Sequence, residues 1–441
     1  MTALSLGRVR SRSRATAKPI EYSLLLTATL CLLAFGVVMV FSASSTTSLL
    51  GTTGDSAYYL KRTLIFGALG LIAMKVLSGR GARAIKPLTP LILALAMVGL
   101  VVVLLPGIGV TVNGAKRWIV AGPLQIQPSE IAKLALVLYG AKLLADRPTM
   151  VRSVRTLVPY LFVVAVACLL VVVEPDMGTA MIACFATAAM LLAAGVKMRH
   201  LAVIGAVVAA VVLVAIVIQP YRMQRLTGFV NPSSDPSSVG YQATQAKIAL
   251  GSGGVFGVGL GQSLQKAYFL PEAHTDMIAA VIGEELGFAG LTVLIGLYGL
   301  FGYAGLRTAQ RARDRYGKLL AAGITSLILI QALINLFAVM GLAPLTGVPL
   351  PFVSYGNSSL LVTLAGVGLL LGIARKPAAS AAKPASTSQS RAARLRVLEG
   401  SAASRRAPTE RTAASAKGRH SSRGNRGARR SGTGRRRRAS R

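Results

Sequence analysis

Long apolar segments recur along the chain and are separated by short polar or charged segments. A stretch of roughly 18 or more apolar residues with few charges is long enough to cross the hydrocarbon core of a bilayer as a helix. The pattern therefore predicts an all-α polytopic protein that crosses a membrane about ten times. The predicted spans lie near residues 22–43, 63–78, 87–105, 129–145, 157–173, 177–195, 200–219, 277–306, 318–342 and 358–374.

Charge between the spans favours one orientation. Four connecting segments are basic, and they alternate with segments that are not consistently so. Because cytoplasmic loops carry an excess of Lys and Arg, these four, together with both basic termini, are predicted to be cytoplasmic. The alternation requires an even number of spans. The predicted cytoplasmic segments are 79–86, 146–156, 196–200 and 307–318, and the predicted outer segments are 44–62, 106–128, 174–176, 220–276 and 343–357.

Two of the outer segments are unusual. Segment 220–276 is too long to be a mere connection, so we expect it to fold internally or to carry function. It contains a glycine-rich run that begins at Gly251. Segment 343–357 has three prolines and is nevertheless fairly apolar. We therefore expect irregular backbone there, shielded by the helix bundle at membrane depth.

Composition agrees with a membrane protein. Of the 441 residues, 53% are hydrophobic and 14% are charged, and the mean hydropathy is +0.60. A soluble domain carries about 25% charged residues. The first apolar run follows several arginines without a clear cleavage site, so it is predicted to be a span and not a signal peptide. Cys31, Cys168 and Cys184 lie in apolar runs without paired spacing and are predicted to be buried thiols.

The formal net charge of +35 is concentrated towards the C-terminus. From Arg375 onwards there are 20 Lys and Arg against two Glu, with almost no large apolar residues. Such a segment cannot bury a core, so we expect three parts: a basic segment 1–21, a membrane domain 22–375 and a disordered basic tail 376–441. For the tail, contact with anionic membrane lipid is favoured over nucleic-acid binding.

Polar and ionisable side chains are costly in a bilayer and tend to mark function. Here they gather near the predicted outer ends of the helices. Simpler explanations exist for each: Asp276 as the N-cap of the eighth span, Trp118 as an interfacial aromatic residue, and Glu284 and Glu285 as partners of Lys or Arg. Their joint location on one side of the membrane favours a functional site over these separate explanations.

Several motifs together resemble the SEDS family of bacterial cell-wall polymerases. Their order and spacing match over roughly residues 20–375, and the overall pattern is closer to the cell-division branch of that family than to its elongation branch. The motifs are NGAKRWI at 113–119, QPSEIAK at 127–133, EPDMGT at 174–179, the segment from GYQATQAK through PEAHTD to GEELGFAG at 240–290, and PLTGVPLPFVSYGNSS at 344–359.

The resemblance implies a ten-helix SEDS fold and a peptidoglycan glycosyltransferase that polymerises lipid II, a disaccharide pentapeptide on an undecaprenyl pyrophosphate anchor. It also implies a location at the division septum. The expected partners are a class B penicillin-binding protein, whose transpeptidase crosslinks the new strands, and other division proteins.

The chemistry assigns roles to residues. A sugar hydroxyl is a poor nucleophile, so a carboxylate should accept its proton, and the catalytic acid of the family maps to Asp276. The departing pyrophosphate needs cations, for which Arg117 and Lys133 are the first candidates and Lys116 the next. The remaining candidates are Gln242, Gln245, His274 and Ser358 as hydrogen-bond partners of substrate, and Glu130 and Asp176 as groups that orient the cations or hold a divalent ion.

Two other functions stay open at this point. Ten helices with polar groups are also common in transporters, so the chain can be a lipid II flippase. It can also be a scaffold of cell division without enzymatic activity. The bias of the polar cluster towards the outer ends of the helices, away from the midplane, favours chemistry at the membrane surface.

Overall fold

A computed structural model describes residues 19–50, 54–112, 114–122, 124–230, 239–267 and 269–375. A helix forms at each of the ten apolar runs. Those helices are α1 (Ile20–Leu50), α2 (Tyr58–Arg80), α4 (Thr89–Leu104), α5 (Pro128–Asp146), α6 (Val154–Val173), α7 (Met177–Ala194), α8 (Met198–Ile218), α11 (Ile278–Arg311), α12 (Arg315–Val339) and α13 (Asn357–Ala374). Short helices are α3 (Ala82–Ile85), α9 (Pro220–Val230) and α10 (Val239–Ser252). The predicted segment 1–21 lies almost wholly outside the described residues, and the predicted tail lies entirely outside them.

Seven of these helices are long and apolar enough to cross a membrane on composition alone: α1, α6, α7, α8, α11, α12 and α13. The other three are short or carry charges. Helix α4 is apolar but has 16 residues. Helix α5 places two of its charges, Glu130 and Lys133, inside the protein, where they pair with each other. The sequence of α5 is therefore less apolar than expected for a helix that packs inside the bundle.

The centre of the bundle is formed by α11, α12 and α13. Helix α12 packs against α5, α7 and α11, and α13 packs mainly against α2. At the periphery, α8 has no buried residue, and its apolar side chains are exposed or half-buried along its whole length. Such a helix is stable only in apolar surroundings, since its exposed surface is almost entirely hydrocarbon.

A small antiparallel sheet lies between α4 and α5 and was not predicted. It has the order β1 (Gly109–Val112), β2 (Ala115–Ala121) and β3 (Leu124–Ile126), and Val110 pairs with Trp118. Both hairpin turns contain a glycine with positive φ, Gly114 and Gly122, as tight hairpins require. The strands are too short, and the apolar alternation too weak, to be distinguished by periodicity from the end of the preceding apolar run.

The described parts of the long segment 220–276 are folded internally, as expected. After α9 and α10, its glycine-rich part lies against a kink in α11, where Gly287 has a φ of 65°. Val258 N donates to Glu284 O at 3.0 Å, and Phe288 N donates to Gly254 O at 3.0 Å. The backbone of the glycine-rich run therefore satisfies the helix groups that the kink frees.

The same segment is fixed to the bundle by buried side chains. Lys266 Nζ pairs with Glu285 Oε1 at 2.6 Å, and Ser42 Oγ donates to Glu285 Oε2 at 2.6 Å. Glu284 accepts hydrogen bonds from Ser263 Oγ and from Leu264 N. Both acids of the Glu284–Glu285 pair thus serve to hold this segment against α1 and α11.

The cysteines depart from expectation. Cys31 is exposed on α1, and it was predicted to be buried. A side chain that faces lipid is as compatible with an apolar run as one that faces the core, so sequence cannot distinguish them. Cys168 and Cys184 are half-buried, and their sulfur atoms lie 3.6 Å apart across α6 and α7.

Candidate active site

The irregular segment 340–356 runs between the ends of the central helices, as the prolines predicted. Two amide side chains of α12, one helical turn apart, fix it. Asn335 Nδ2 donates to Val348 O at 2.8 Å, and Gln331 Nε2 donates to Pro349 O at 2.9 Å. The segment also packs on the first turn of α7, with Thr346 and Val348 against Gly178. The segment therefore lies between α7 and the start of α11, and we call residues 340–356 the floor.

Asp276 lies beside this floor, two residues before α11 begins. Asn335 Nδ2 donates to its backbone carbonyl at 2.7 Å, which ties its position to the same amide that holds Val348. Its side chain is half-buried and accepts a hydrogen bond from Thr275 Oγ1 at 3.3 Å. Met277, and not Asp276, is the N-cap residue of α11, and no side-chain hydrogen bond caps that helix.

The environment of Asp276 makes it a better base. Burial, and next the nearby charge of Glu272, raise the pKa of its carboxyl to about 6, while Thr275 and Arg225 act in the opposite direction. A carboxylate with this pKa is still largely ionised at neutral pH and holds a proton more firmly than a solvated one. The position therefore suits proton abstraction.

Three aromatic rings meet next to Asp276, and we call them the aromatic cluster: Tyr59, His274 and Tyr355. The centroids of Tyr59 and His274 lie 4.3 Å apart, and those of Tyr59 and Tyr355 lie 4.8 Å apart. Tyr355 N donates to His274 O at 2.9 Å. Burial lowers the pKa of His274, so its imidazole is neutral at pH 7. Three distant parts of the chain thus build one half-exposed aromatic wall.

On the other side of the floor, Asp176 is held by several donors. It is the N-cap of α7, and its Oδ1 accepts from Thr179 N at 3.1 Å. Its Oδ2 accepts from Gln127 Nε2 at 3.0 Å and lies 3.5 Å from Ser129 Oγ. Much of the hydrogen-bonding capacity of Asp176 is therefore used to join the starts of α5 and α7.

Glu174 is buried two residues earlier, in the turn between α6 and α7. Neither of its oxygens accepts a hydrogen bond from the described residues. Burial, followed by the charge of Asp176, raises its pKa to about 8, and Arg117 opposes that shift. Glu174 is therefore mostly protonated at pH 7, which leaves the positive charge of Arg117 uncompensated by it.

A buried polar chain crosses from this side to the floor. Lys133 Nζ donates to Glu130 Oε1 at 2.9 Å and to Gln331 Oε1 at 2.8 Å, and Gln331 in turn holds Pro349. Both ions of the pair are almost fully buried. The pair is joined to the floor, so removal of either ion would strand the other in an apolar region.

The remaining candidates are spread around these groups. Ser358 Oγ donates to Gln125 O at 2.8 Å and accepts from Gln127 N at 3.1 Å, so it joins α13 to the sheet. Gln242 Nε2 donates to Pro271 O at 3.3 Å, and Gln245 is half-buried on α10. Lys116 Nζ binds Leu105 O at 2.5 Å, at the C-terminal end of α4, where a cation is favourable.

Sequence reasoning missed Tyr59, Gln331 and Asn335. The two amides stand at a spacing of four within an apolar run, a pattern that places both on one helix face, and polar residues within spans tend to mark function. That signal was present in the sequence. No sequence signal distinguishes Tyr59 from other interfacial tyrosines, because its role depends on its packing with His274 and Tyr355.

The described side chains do not form a carboxylate cage of the calcium type. No group of three or more His, Cys, Asp or Glu side chains converges among them. Asp176 and Glu174 are adjacent, but both oxygens of Asp176 already accept hydrogen bonds. Carboxylate sites for calcium supply many more oxygens than this.

Long apolar helices with polar groups gathered at one end of the bundle define a polytopic membrane protein. Residues 22–378 match the model of the FtsW/RodA/SpoVE family of cell cycle proteins. The chain belongs to this family, and the resemblance to SEDS proteins is confirmed.

Individual proteins with names from this family are similar to the chain over most of its length. The chain is 42% identical over 359 residues to a probable peptidoglycan glycosyltransferase FtsW of Trichlorobacter lovleyi, covering 80% of this chain and 93% of that one. It is 40% identical over 353 residues to stage V sporulation protein E of Bacillus subtilis, covering 80% and 96%.

Solved structures share the fold. One, from a peptidoglycan synthase complex that coordinates polymerization and crosslinking, has a TM-score of 0.67 at 30% identity and covers 80% of this chain and 96% of that one. The rod shape determining protein RodA of Thermus thermophilus has a TM-score of 0.59 at 28% identity, covering 80% and 95%.

Proposed function

We propose that this chain is a peptidoglycan glycosyltransferase that polymerises lipid II during septal cell-wall synthesis, with Asp276 as the general base. The names of its relatives supply the reaction class. The observation that carries the assignment of Asp276 is its position: a half-buried carboxylate with a raised pKa, fixed beside the floor at the end of the bundle.

The proposed step is one displacement with inversion. The 4-hydroxyl oxygen of the acceptor sugar attacks the anomeric carbon of the donor, and the bond from that carbon to the pyrophosphate oxygen breaks. The hydroxyl proton passes to Asp276, and the electron pair of the broken bond leaves on polyprenyl pyrophosphate. A positioned base of this kind contributes about 10²–10⁴-fold to the rate.

Charge on the leaving group calls for a cation on the other side of the floor. Arg117 is the better candidate, because neutral Glu174 leaves its charge available and a guanidinium binds phosphate oxygens through two donors. Lys133 already donates to Glu130 and Gln331, so we assign it to holding the floor and to electrostatic support. The aromatic cluster offers ring faces for the sugars next to Asp276.

We also propose the membrane, the orientation and the partner with which this reaction takes place. We assign the site to the outer side of a bacterial cytoplasmic membrane, with both termini in the cytoplasm and ten spans in all. A class B penicillin-binding protein is the proposed partner, since one similar structure belongs to a peptidoglycan synthase complex. Other division proteins are expected to join them.

Polymerisation of purified lipid II by the full-length chain with its partner tests the proposal. We expect Asp276→Asn to lower the rate at least about 10²-fold. Asp146→Asn, an exposed acid at the end of α5 opposite to the site, serves as the matched control and should keep the wild-type rate. Near-wild-type glycan synthesis by Asp276→Asn would remove Asp276 as the base. Absence of synthesis by the wild type, with lipid II supplied only on the outer side, would instead favour the flippase or scaffold function.

A further inference from the structure

A cavity of about 110 Å³ opens at the end of the bundle opposite to Asp276. Helix α2 starts at the aromatic cluster and ends at Arg80, and α11 starts beside Asp276 and ends at Arg311, so the ends of both helices reach this side. The cavity is larger than two others among the described residues, which measure about 20 and 10 Å³. Since one water needs about 10–15 Å³ by this measure, it has room for a group of phosphate size.

Arginines dominate the rim of this cavity, which we call the arginine pocket. Arg80, Arg83 and Arg313 line it, and Asp314 is the one acid among the lining residues. Arg83 Nε lies 3.7 Å from Asp314 Oδ2, beyond hydrogen-bonding distance, and the Arg83 side chain stays 74% exposed. The rim therefore keeps a net positive charge, with guanidinium groups suited to grip phosphate oxygens.

The base of the arginine pocket is compact and largely without long side chains. Gly81, with a φ of 80°, and Gly372 approach each other closely, so that a side chain on Gly372 would meet the backbone of Gly81. Buried Tyr316 also lines the base of the pocket. A bound group can thus descend between the helix ends instead of resting on the surface.

An apolar stripe leads from the membrane to this rim. Ile65, Leu69, Ile72 and Val76 on α2 are all exposed, and their spacing places them on one helix face. Arg80 continues that spacing by one more turn. A molecule with a phosphate in the arginine pocket would therefore have its hydrocarbon chains along α2, which favours a lipid over a soluble phosphate.

We propose that the arginine pocket binds the phosphate headgroup of an anionic phospholipid from the leaflet opposite to the Asp276 site. Basic pockets between membrane helices bind anionic headgroups in this way. The pocket is separate from the glycosyltransferase site, so the inference stands whether or not that function is correct.

Native mass spectrometry of the full-length chain, released from nanodiscs of phosphatidylglycerol and phosphatidylcholine, tests this. The test variant is Arg80→Gln with Arg83→Gln. The matched control is Arg152→Gln with Arg155→Gln, which removes two exposed arginines at the same spacing and the same end of the bundle, outside the pocket. Thermal unfolding of each variant checks that it is folded.

We expect the wild type and the control to retain phosphatidylglycerol, and the test variant to retain it roughly thirtyfold less tightly, at about 1 kcal/mol for each arginine. Equal losses in both variants would overturn the proposal, since general attraction to positive charge would explain them. So would equal retention in all three proteins.

A second arm distinguishes the source of the phosphate. Inorganic phosphate is titrated into lipid-free, detergent-solubilised protein. Binding that depends on Arg80 and Arg83, with no difference in retained phosphatidylglycerol between the proteins, would show a site for soluble phosphate and overturn the lipid assignment. Competition between phosphate and retained phosphatidylglycerol in the wild type supports it.

Discussion

Burial gives two carboxyl groups of this protein different chemistry. Asp276, half-buried and hydrogen-bonded by Thr275, has a pKa of about 6. Glu174, fully buried without a hydrogen-bond donor among the described residues, has a pKa of about 8. One is therefore charged at neutral pH and the other mostly neutral, a separation that suits a base on one side of the floor and an anion-binding site on the other.

The pH dependence of polymerisation follows from Asp276. Only the ionised carboxylate accepts a proton, so the rate should be constant above about pH 6 and should fall as the pH drops below it, approaching tenfold for each unit. Initial rates of glycan synthesis between pH 4.5 and 8 measure this. A profile that is flat down to pH 4.5 would contradict a base with this pKa.

Glu174→Gln should stabilise the protein. The folded state raises the pKa of Glu174 from 4.5 to about 8, so the stability of the wild type falls as the pH rises from about 4.5 to 8. Glutamine has no such dependence, and at pH 8 the variant should have the higher Tm by about 2–4 °C for each kcal/mol gained. Thermal unfolding at pH 5 and pH 8 checks this, and a lower Tm for the variant at pH 8 would contradict it.

Among the elements, the glycine-rich segment and α11 depend on each other. The kink at Gly287 frees backbone groups that residues 254–259 satisfy, and Lys266 brings a charge to Glu285 in the interior. Each part alone would leave polar groups buried without partners, which costs free energy for each group. The described part of segment 220–276 next to α11 is therefore a fixed part of the bundle, and it helps to define the position of Asp276 at its end.

Lys266→Met should destabilise the protein strongly. It leaves Glu285 buried without its cation, which costs about 3–5 kcal/mol when one partner of a buried pair is removed. Thermal unfolding in detergent measures the effect. Lys61→Met, which breaks an exposed pair with Asp55, is the control and should change the Tm little. Equal Tm values for the two variants would contradict the proposed role of Lys266.

At the scale of the whole molecule, two polar regions lie at opposite ends of an apolar bundle. Asp276, Asp176 and the aromatic cluster occupy one end, and the arginine pocket occupies the other. The excess of Lys and Arg in alternate loops predicts that the arginine pocket is cytoplasmic. The acid site then faces the leaflet where a lipid-linked sugar would be polymerised.

Cysteine labelling tests this orientation. In a chain without its three native cysteines, Glu272→Cys and Arg83→Cys each place one exposed thiol at opposite ends of the bundle. A maleimide that cannot cross the membrane should label Glu272→Cys in intact cells and Arg83→Cys only after permeabilisation. The reverse result, or labelling of both in intact cells, would contradict an orientation with the site outside.

The sequence by itself determined the helices, the alternation of charge and the irregular proline segment, because hydrophobic length, Lys and Arg bias and local backbone restrictions are properties of short stretches. The candidate Asp276 came from the resemblance of its motif to the family. Only the tertiary structure decided that Asn335 holds Asp276 and Val348 together, that Lys133 and Lys116 bind within the protein, and that Tyr59 meets His274. These are contacts between residues far apart in the chain. Their energies depend on burial and distance, and those are fixed only when the helices pack.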